Sequence, residues 1–179
     1  MSLKILVNGC SFTALDGMWP EYFPLDYKHK DRNIAVPNAS NMSIFHDTIQ
    51  EIMTNKYDCV IIVWTFLERT YMTTSDNENI NVLPNDLVGP LPLITEANEH
   101  ALQRFLTDYQ KHFYSEKIQK RCLAQYQYAI DQCVDAIHLS VYDIECGPTE
   151  HPTKKESKKF AKHIMDTYFN PQTNVKNNE

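Results

Sequence analysis

The serine at position 11 is the first residue whose type and placement could support covalent chemistry. It lies in the segment GCSFT, residues 9–13, directly after an apolar run over residues 4–8 that predicts a buried strand. A tight turn exposes a serine hydroxyl, and nearby backbone N–H groups can bind an oxyanion. Ser11 is therefore a candidate nucleophile. The alternative interpretation is a serine that only caps the following helix.

Among the seven histidines, His151 is the one placed to act as a general base for Ser11. It lies at the end of the loop over residues 143–152, just ahead of a capping-box sequence that predicts the start of the last helix. The other six fall on early surface segments, on predicted helices or inside a strand. A serine after the first strand and a histidine before the last helix are expected to meet at one sheet edge.

Polar residues also follow the second and third predicted strands. Asn38 tolerates left-handed backbone geometry better than most residues, so its N–H, or the side chain of Asn41, could point into the same pocket. The alternative is an ordinary polar turn and helix cap. Thr65 is expected to flank the pocket after the third strand. The neighbouring Glu68 and Arg69 could form a pair, with a surface ion pair as the alternative.

Alternating strands and helices must position these residues. Apolar or β-branched runs predict four strands, over residues 4–8, 33–36, 59–64 and 136–142. Helical spacing of apolar residues predicts four helices, over residues 42–54, 99–113, 116–134 and about 153–168. This alternation predicts an α/β fold, a three-layer α/β/α sandwich with a mostly parallel sheet of about four to five strands. Ligands in such folds bind beyond the carboxyl ends of the strands.

The remaining segments indicate a single domain over residues 1–169 with a flexible tail over residues 170–179. Residues 70–98 are rich in polar residues and loop punctuators, which predicts a long lid or interaction loop with, at most, a short helix. The lysines of the last helix are interpreted as its solvated face.

Composition excludes several classes of protein. The chain has 179 residues, a formal charge of −6 and 42% hydrophobic residues, which allows a core without disulfides or metal and does not favour nucleic-acid binding. No apolar run is long enough to span a membrane, and no signal peptide is recognised, so a cytoplasmic location is expected. Five cysteines without a C-x-x-C pair indicate free thiols and no metal site. Four glycines form no phosphate-binding loop, so dinucleotide or P-loop nucleotide binding is not expected.

The ordered motifs resemble those of the SGNH (GDSL-like) hydrolase superfamily. Residues 9–13 are similar to its first block, with Cys10 in the aspartate position, and residues 37–41 are similar to its second block, with Asn38 where a glycine supplies an oxyanion N–H. Residues 60–65 resemble the third-block strand, and residues 150–153 resemble the last block, which carries the base and its acid. The chain also resembles short SGNH-like proteins of phages in one set of motifs, namely GCSFT, WP, SN, and WT followed by R.

The resemblance implies a flavodoxin-like sheet and an esterase that acts on O-acyl esters of a carbohydrate or other small substrate. Ser11 would be the nucleophile and His151 the base, oriented by Glu150, while Asn38, Asn41, Thr65 and Cys10 would surround the oxyanion and substrate. No metal, organic cofactor or membrane is implied. The resemblance leaves open whether the protein forms a homo-oligomer. If the source is a phage, the expected location is the host cytoplasm.

Two departures from the family pattern motivate a rival interpretation. Pro148 stands where the usual triad acid is found, leaving Glu150, Glu145, Asp143 or a backbone carbonyl to orient His151. The third-block asparagine is absent, and loss of one oxyanion donor can cost about 2.7–4 kcal/mol in the barrier. The rival is therefore a catalytically weak or inactive SGNH-like binding or assembly protein. A third interpretation is a flavodoxin-like small-molecule binder with an aromatic-lined site.

Overall fold

The computed structural model describes residues 3–23, 32–67, 69–73, 79–82, 115–144 and 151–170. The described strands are β1 (Ile5–Gly9), β2 (Cys59–Trp64), β3 (Thr70–Thr73), β4 (Asn79–Val82) and β5 (Ala136–Ser140). The described α-helices are α1 (Ser11–Ala14), α2 (Asn41–Thr54), α3 (Glu116–Asp131) and α4 (Lys154–Ile164). Short 3₁₀ segments cover Trp19–Tyr22 and Val141–Asp143, and a π-helical turn over Met165–Phe169 follows α4.

A parallel sheet with β2 in its centre forms the core and confirms the α/β class. β1 and β5 pair with β2 on either side, with Ile5 opposite Cys59 and Val60 opposite Ala136. All of β1 and all but the first residue of β2 are buried, as their continuous apolar runs predict for strands covered on both faces.

The predicted second strand, residues 33–36, lies along the free edge of β1. Val7 and Asn33 form one parallel bridge, and the Ile34 N–H donates to the Val7 carbonyl at 3.0 Å. The Val36 N–H donates to the Gly9 carbonyl at 3.2 Å. The described parallel sheet thus has three strands, with this extended segment hydrogen-bonded beside them.

Helix α2 is attached to the sheet by a buried amide. Ser40 caps the helix by accepting a hydrogen bond from the Ser43 N–H at 3.2 Å, which confirms the predicted start. The Asn8 side chain donates to the Ile44 carbonyl at 3.0 Å and to the Thr48 hydroxyl at 2.9 Å. These bonds pair polar groups that would otherwise be buried without partners.

Helices α3 and α4 confirm the predicted helical segments but not every predicted inward residue. The Thr153–Glu156 capping box is present at the start of α4. Helical spacing over residues 116–134 predicts that Ile118, Ile130 and Cys133 face inward. Ile130 is fully buried, whereas Ile118 is 54% exposed and Cys133, two residues beyond the end of α3, is exposed, so the prediction is wrong for these two. Helix α3 packs on α2, and apolar spacing alone overestimated its buried stripe.

Helix α4 packs against the 3₁₀ segment Trp19–Tyr22 rather than against the sheet alone. The rings of Trp19 and Phe160 meet edge to face with centroids 5.9 Å apart. On the other helix pair, Phe45 of α2 stacks on Tyr126 of α3 at 4.5 Å. Aromatic pairs in these two geometries contribute favourably beyond the area that they bury.

The segment after β2 contains regular structure that the sequence analysis missed. β3 and β4 form an antiparallel pair with Thr70 opposite Val82, so the prediction of a loop is wrong for these residues. β-Branched and aromatic residues in both strands favour this pairing. The rest of the predicted lid, the predicted helix over 99–113 and the tail beyond residue 170 lie outside the described residues. In the described chain, no helix has both the length and the apolar character required to span a bilayer.

The last strand ends earlier than predicted because its final serine starts a new element. The Ser140 N–H donates to the Asp143 carboxylate at 2.7 Å, and the Ser140 hydroxyl accepts a hydrogen bond from the Tyr142 N–H at 3.3 Å. This capping box turns Val141–Asp143 into a 3₁₀ segment, so the predicted strand over 136–142 ends at Ser140.

Candidate active site at the carboxyl edge of the sheet

The turn from β1 into α1 places Ser11 at the carboxyl edge of the sheet. Cys10 occupies the N-cap position, and its carbonyl accepts hydrogen bonds from the Thr13 and Ala14 N–H groups at 2.9 and 3.0 Å. Ser11 is the first residue of the helix and is 5% exposed. The cap position therefore belongs to Cys10, and the alternative in which Ser11 caps this helix is wrong.

Gly9 allows α1 to lie this close to the sheet. A Cβ at this position would be 2.5 Å from the Thr13 hydroxyl oxygen and 3.0 Å from the Val63 carbonyl oxygen. The Thr13 hydroxyl in turn accepts a hydrogen bond from the Trp19 indole N–H at 3.3 Å. A glycine is therefore needed at the start of the GCSFT motif because α1 approaches the sheet closely there, and not because the turn requires a backbone conformation that only glycine adopts.

Asn38 has the left-handed backbone that its residue type predicted. Its φ is 64°, and the Ala39 N–H donates to the Val36 carbonyl at 3.1 Å across the turn. Pro37 precedes it, which is the residue order preferred in a type II turn. The Asn38 turn, residues 36–39, therefore has a defined conformation at the end of the segment beside β1.

Asn41 holds the main chain after β2. Its carbonyl oxygen accepts a hydrogen bond from the Thr65 N–H at 2.8 Å, and its amide donates to the Thr65 carbonyl at 3.2 Å. With both ends of the amide engaged, the geometry indicates that Asn41 positions Thr65. The Thr65 hydroxyl is buried and has no hydrogen-bond partner among the described residues.

Arg69 connects the loop after β2 to the Asn38 turn. Its guanidinium donates to the Ala39 carbonyl at 3.3 Å and lies 5.8 Å from the centroid of the Phe66 ring. Arg69 is 6% exposed, so it is a buried residue and not the surface residue that a surface ion pair would require. Glu68 itself lies outside the described residues.

His151 reaches the same edge from the other end of the chain. Its ring lies against that of Phe12, the residue directly after Ser11, with centroids 5.1 Å apart and planes inclined by 40°. Among the described residues, His151 contacts the Phe12 ring, and no hydrogen bond joins it to Ser11. The imidazole is exposed and therefore open to a substrate.

Three acidic residues were considered for orienting His151, and the structure describes one of them. Asp143 is engaged in the capping box with the Ser140 N–H. Glu150 and Glu145 lie outside the described residues, as does Pro148 at the usual position of the acid.

A second histidine has both ring nitrogens occupied. His138 Nδ1 accepts a hydrogen bond from the Trp64 indole N–H at 3.2 Å, and Nε2 lies 2.9 Å from the Asp131 carboxylate. This arrangement places the proton on Nε2 and makes His138 a connection between α3, β5 and β2. It is not open to a substrate, in contrast to His151.

The sequence analysis missed an aromatic row at this edge. Phe12, Phe66 and Tyr142 follow β1, β2 and β5, and their ring centroids are 5.9 and 5.5 Å apart. These spacings approach the distance of about 4.8 Å between neighbouring strands. The signal was present in the sequence as an aromatic residue two or three positions after each of these strands.

Comparisons with known proteins leave the family open. No family model matches the chain, and no curated protein sequence matches it. Within the described residues, no three His, Cys, Asp or Glu side chains are grouped in a way that could hold a metal ion. The interpretation of the site therefore depends on the residues and contacts described above.

Proposed function

We propose that this protein is a serine ester hydrolase of the SGNH type, with Ser11 as nucleophile and His151 as general base. The observation that carries the proposal is the contact between His151 and Phe12, which brings the histidine to the residue beside Ser11. The two residues are separated by most of the chain, so their meeting depends on the complete fold.

The order of the strands supports the flavodoxin-like, three-layer α/β/α fold that this proposal requires. Segment 33–36, β1, β2 and β5 lie side by side in that order, and this order supports a flavodoxin-like sheet. A three-layer α/β/α sandwich would place α2 and α3 on one face of the sheet and α4 on the other. The stacking of α2 on α3, and the separate packing of α4 on Trp19–Tyr22, support this arrangement.

In the proposed reaction, the Ser11 hydroxyl attacks the acyl carbon of an ester while His151 takes its proton. The negative charge that forms on the carbonyl oxygen is accepted by the N–H groups of Ser11 and Asn38 and by the Thr65 hydroxyl. His151 then gives the proton to the leaving alcohol, and water releases the acyl group from Ser11 by the reverse sequence. The proposed substrates are O-acyl esters of a carbohydrate or another small molecule, hydrolysed in the cytoplasm without a cofactor.

This mechanism needs His151 within hydrogen-bond reach of Ser11 once substrate is bound. Catalytic hydrogen bonds are often long in the free enzyme and shorten in the complex. The exposed position of His151, immediately before α4, leaves its ring free to turn toward the hydroxyl.

The test is hydrolysis of short-chain p-nitrophenyl esters by the wild type and by Ser11→Ala and His151→Asn. Each substitution is expected to lower kcat at least about 1,000-fold, because the nucleophile and its base act as one unit. Ser115→Ala and His163→Asn are matched controls, since they change the same residue types at the N-cap position of α3 and on α4 and should keep full activity. A fluorophosphonate probe should label Ser11, as identified by peptide mass spectrometry. Undiminished hydrolysis by Ser11→Ala would refute the assignment.

The second candidate is a binding or assembly protein that retains this fold without the chemistry. It is favoured by the engagement of Asn41 with the Thr65 main chain, which leaves the site with fewer free oxyanion donors than the family pattern. Absence of ester hydrolysis together with absence of probe labelling, in a protein of normal stability, would select this candidate.

A further inference from the structure

The Phe12 ring is the group that the His151 imidazole contacts among the described residues. The two ring centroids are 5.1 Å apart, and the ring planes are inclined by 40°. Within the part of the chain that the structure describes, no hydrogen bond or ion pair engages this imidazole. The ring contact is therefore the interaction that places the proposed base beside the proposed nucleophile.

Phe12 is fixed in a way that the exposed His151 is not. It is 7% exposed, belongs to the core, and lies in the turn that hydrogen bonds to the Cys10 carbonyl close. The Phe66 ring meets it edge to face, with centroids 5.9 Å apart and 77° between the planes. A fixed ring of this kind can define the position of a mobile ring that lies against it.

The charged groups around His151 offer little support to a positive imidazole. Lys154 and Lys155 follow it at the exposed start of α4 and disfavour a second positive charge nearby. The described acids on either side of it in the chain, Asp143 and Glu156, are both engaged in capping boxes. The two other acids of the preceding loop lie outside the described residues. The segments that meet it from α1 and from the end of β2 present aromatic rings rather than charges.

An aromatic ring can stabilise a neighbouring cation. The face of the ring carries partial negative charge and attracts a positive group within about 6 Å of the centroid. In the proposed reaction the Ser11 O–H bond breaks as the oxygen bonds to the acyl carbon, and the proton passes to the imidazole of His151. The imidazole becomes positive at that moment, and its distance from Phe12 is within the range of this attraction.

We infer that Phe12 is a positioning residue whose ring holds His151 beside Ser11 and stabilises the imidazolium that forms when His151 takes the proton. The inference rests on the proposed function for its effect on the reaction rate. It does not rest on the proposed function for the stabilisation of a protonated His151, which the free protein should show.

The first test is an acid titration of His151, followed by NMR of the imidazole C–H signals and assigned with His151→Asn. Phe12→Leu keeps an apolar contact without an aromatic face, and pentafluorophenylalanine at position 12 keeps the ring but reverses its charge distribution. Both changes should weaken the protonated state about two- to fivefold, which lowers the midpoint of the titration by about 0.3–0.7 pH unit. The pentafluoro variant preserves the shape of the core if the leucine variant is unstable.

Two controls belong to the same titration. His163 is exposed on α4, so its midpoint should stay the same in every Phe12 variant. Pentafluorophenylalanine at Phe45, whose ring stacks on Tyr126 between α2 and α3, makes the same chemical change elsewhere and should leave His151 unaffected.

The second test is the pH profile of kcat/KM for p-nitrophenyl acetate. Both Phe12 changes should lower the plateau about two- to fivefold and move the acidic limb to lower pH, because the base becomes weaker. Loss of packing alone would lower the plateau and leave the acidic limb in place, which would overturn the inference. Thermal unfolding of each variant establishes that the fold is retained.

The outcomes separate this inference from the proposed function. A His151 titration that depends on Phe12, with no ester hydrolysis by the wild type, would support the stabilising contact and overturn the hydrolase. Hydrolysis that Ser11→Ala abolishes, with the titration and the acidic limb unchanged in both Phe12 variants, would overturn the inference and leave the hydrolase standing. A shift in Phe12→Leu but not in the pentafluoro variant would also overturn it, since shape rather than charge would then be responsible.

Discussion

An alanine at Gly9 should disturb the packing of α1 on the sheet and reduce both stability and activity. The added methyl carbon would lie 2.5 Å from the Thr13 hydroxyl oxygen, closer than any van der Waals contact allows. It would also lie 3.0 Å from the Val63 carbonyl oxygen, which belongs to the rigid central strand. Since neither β1 nor β2 can yield easily, α1 must move away from the sheet.

The expected loss of stability follows from this crowding. Inserting one methyl group into a well-packed site costs about 1–3 kcal/mol. Displacement of α1 also lengthens the 3.3 Å hydrogen bond from Trp19 to Thr13, which keeps the cost in the upper part of this range. Ser11 moves with the helix, and a misplacement of about 1 Å can lower the rate about 100-fold.

Chemical denaturation followed by tryptophan fluorescence measures the stability change. Trp19 and Trp64 are each 1% exposed, so unfolding changes the environment of both indoles. A double-mutant cycle with Thr13→Ala identifies the cause, because that substitution removes the oxygen nearest to the new methyl group. The combined loss is expected to be smaller than the sum of the single losses by at least about 0.5 kcal/mol.

Gly17→Ala is the matched control for this cycle. Gly17 has φ of 79°, and the nearest heavy atom to an added Cβ is the Tyr22 hydroxyl at 3.9 Å. Alanine there should cost about 1–2 kcal/mol through backbone strain, and Thr13→Ala should not relieve it. Additive losses for Gly9→Ala and Thr13→Ala would refute the crowding argument.

Three further predictions concern residues that position the site. Asn41→Ala leaves the two main-chain groups after β2 without their partner and should lower the free energy of unfolding by about 1–3 kcal/mol per group in urea denaturation, whereas a change below about 0.5 kcal/mol would contradict that role. Burial, followed by the nearby aspartates, raises the pKa of Cys59 to about 11, so at pH 8.5 iodoacetamide should alkylate Cys59 much more slowly than the exposed Cys133, as measured by peptide mass spectrometry. Comparable alkylation rates would contradict that shift. Thr153→Ala should destabilise the protein by about 0.5–2 kcal/mol through loss of the α4 cap. Hydrogen bonds from Thr153, first from its backbone and then from its side chain, lower the pKa of Glu156, so the stabilisation that the Glu156 carboxylate contributes is present above pH 4.5 and is lost as the pH falls through the lowered pKa. Because Thr153→Ala keeps the backbone N–H, the variant should retain most of the decline on acid titration followed by circular dichroism, and a complete loss of the decline would contradict the assignment.

Elements that depend on local chemistry were predictable from the sequence. The apolar runs predicted β1 and β2, because a strand buried on both faces has no polar alternation. The Thr153–Glu156 box predicted the start of α4, since the groups that form it are only three residues apart. The left-handed conformation of Asn38 was predicted for the same reason, as it depends on residue type and turn position.

Roles that depend on a distant partner were not predictable in the same way. Asn41 was predicted to face the oxyanion, yet its amide holds the main chain of Thr65, the residue directly after β2. Arg69 was considered for a surface pair and is instead buried against Ala39. Each of these contacts joins segments that are remote in sequence, and side-chain type does not encode which of several remote groups will be the partner.

The sequence by itself determined that Ser11 follows a buried strand and that His151 precedes a capped helix, because strand and helix boundaries depend on neighbouring residues. Only the tertiary structure decided that the His151 ring lies on Phe12 and that Phe12, Phe66 and Tyr142 form a row. The physical reason is that parallel pairing of β1, β2 and β5 sets these distances. That pairing depends on packing across the whole domain rather than on local propensity.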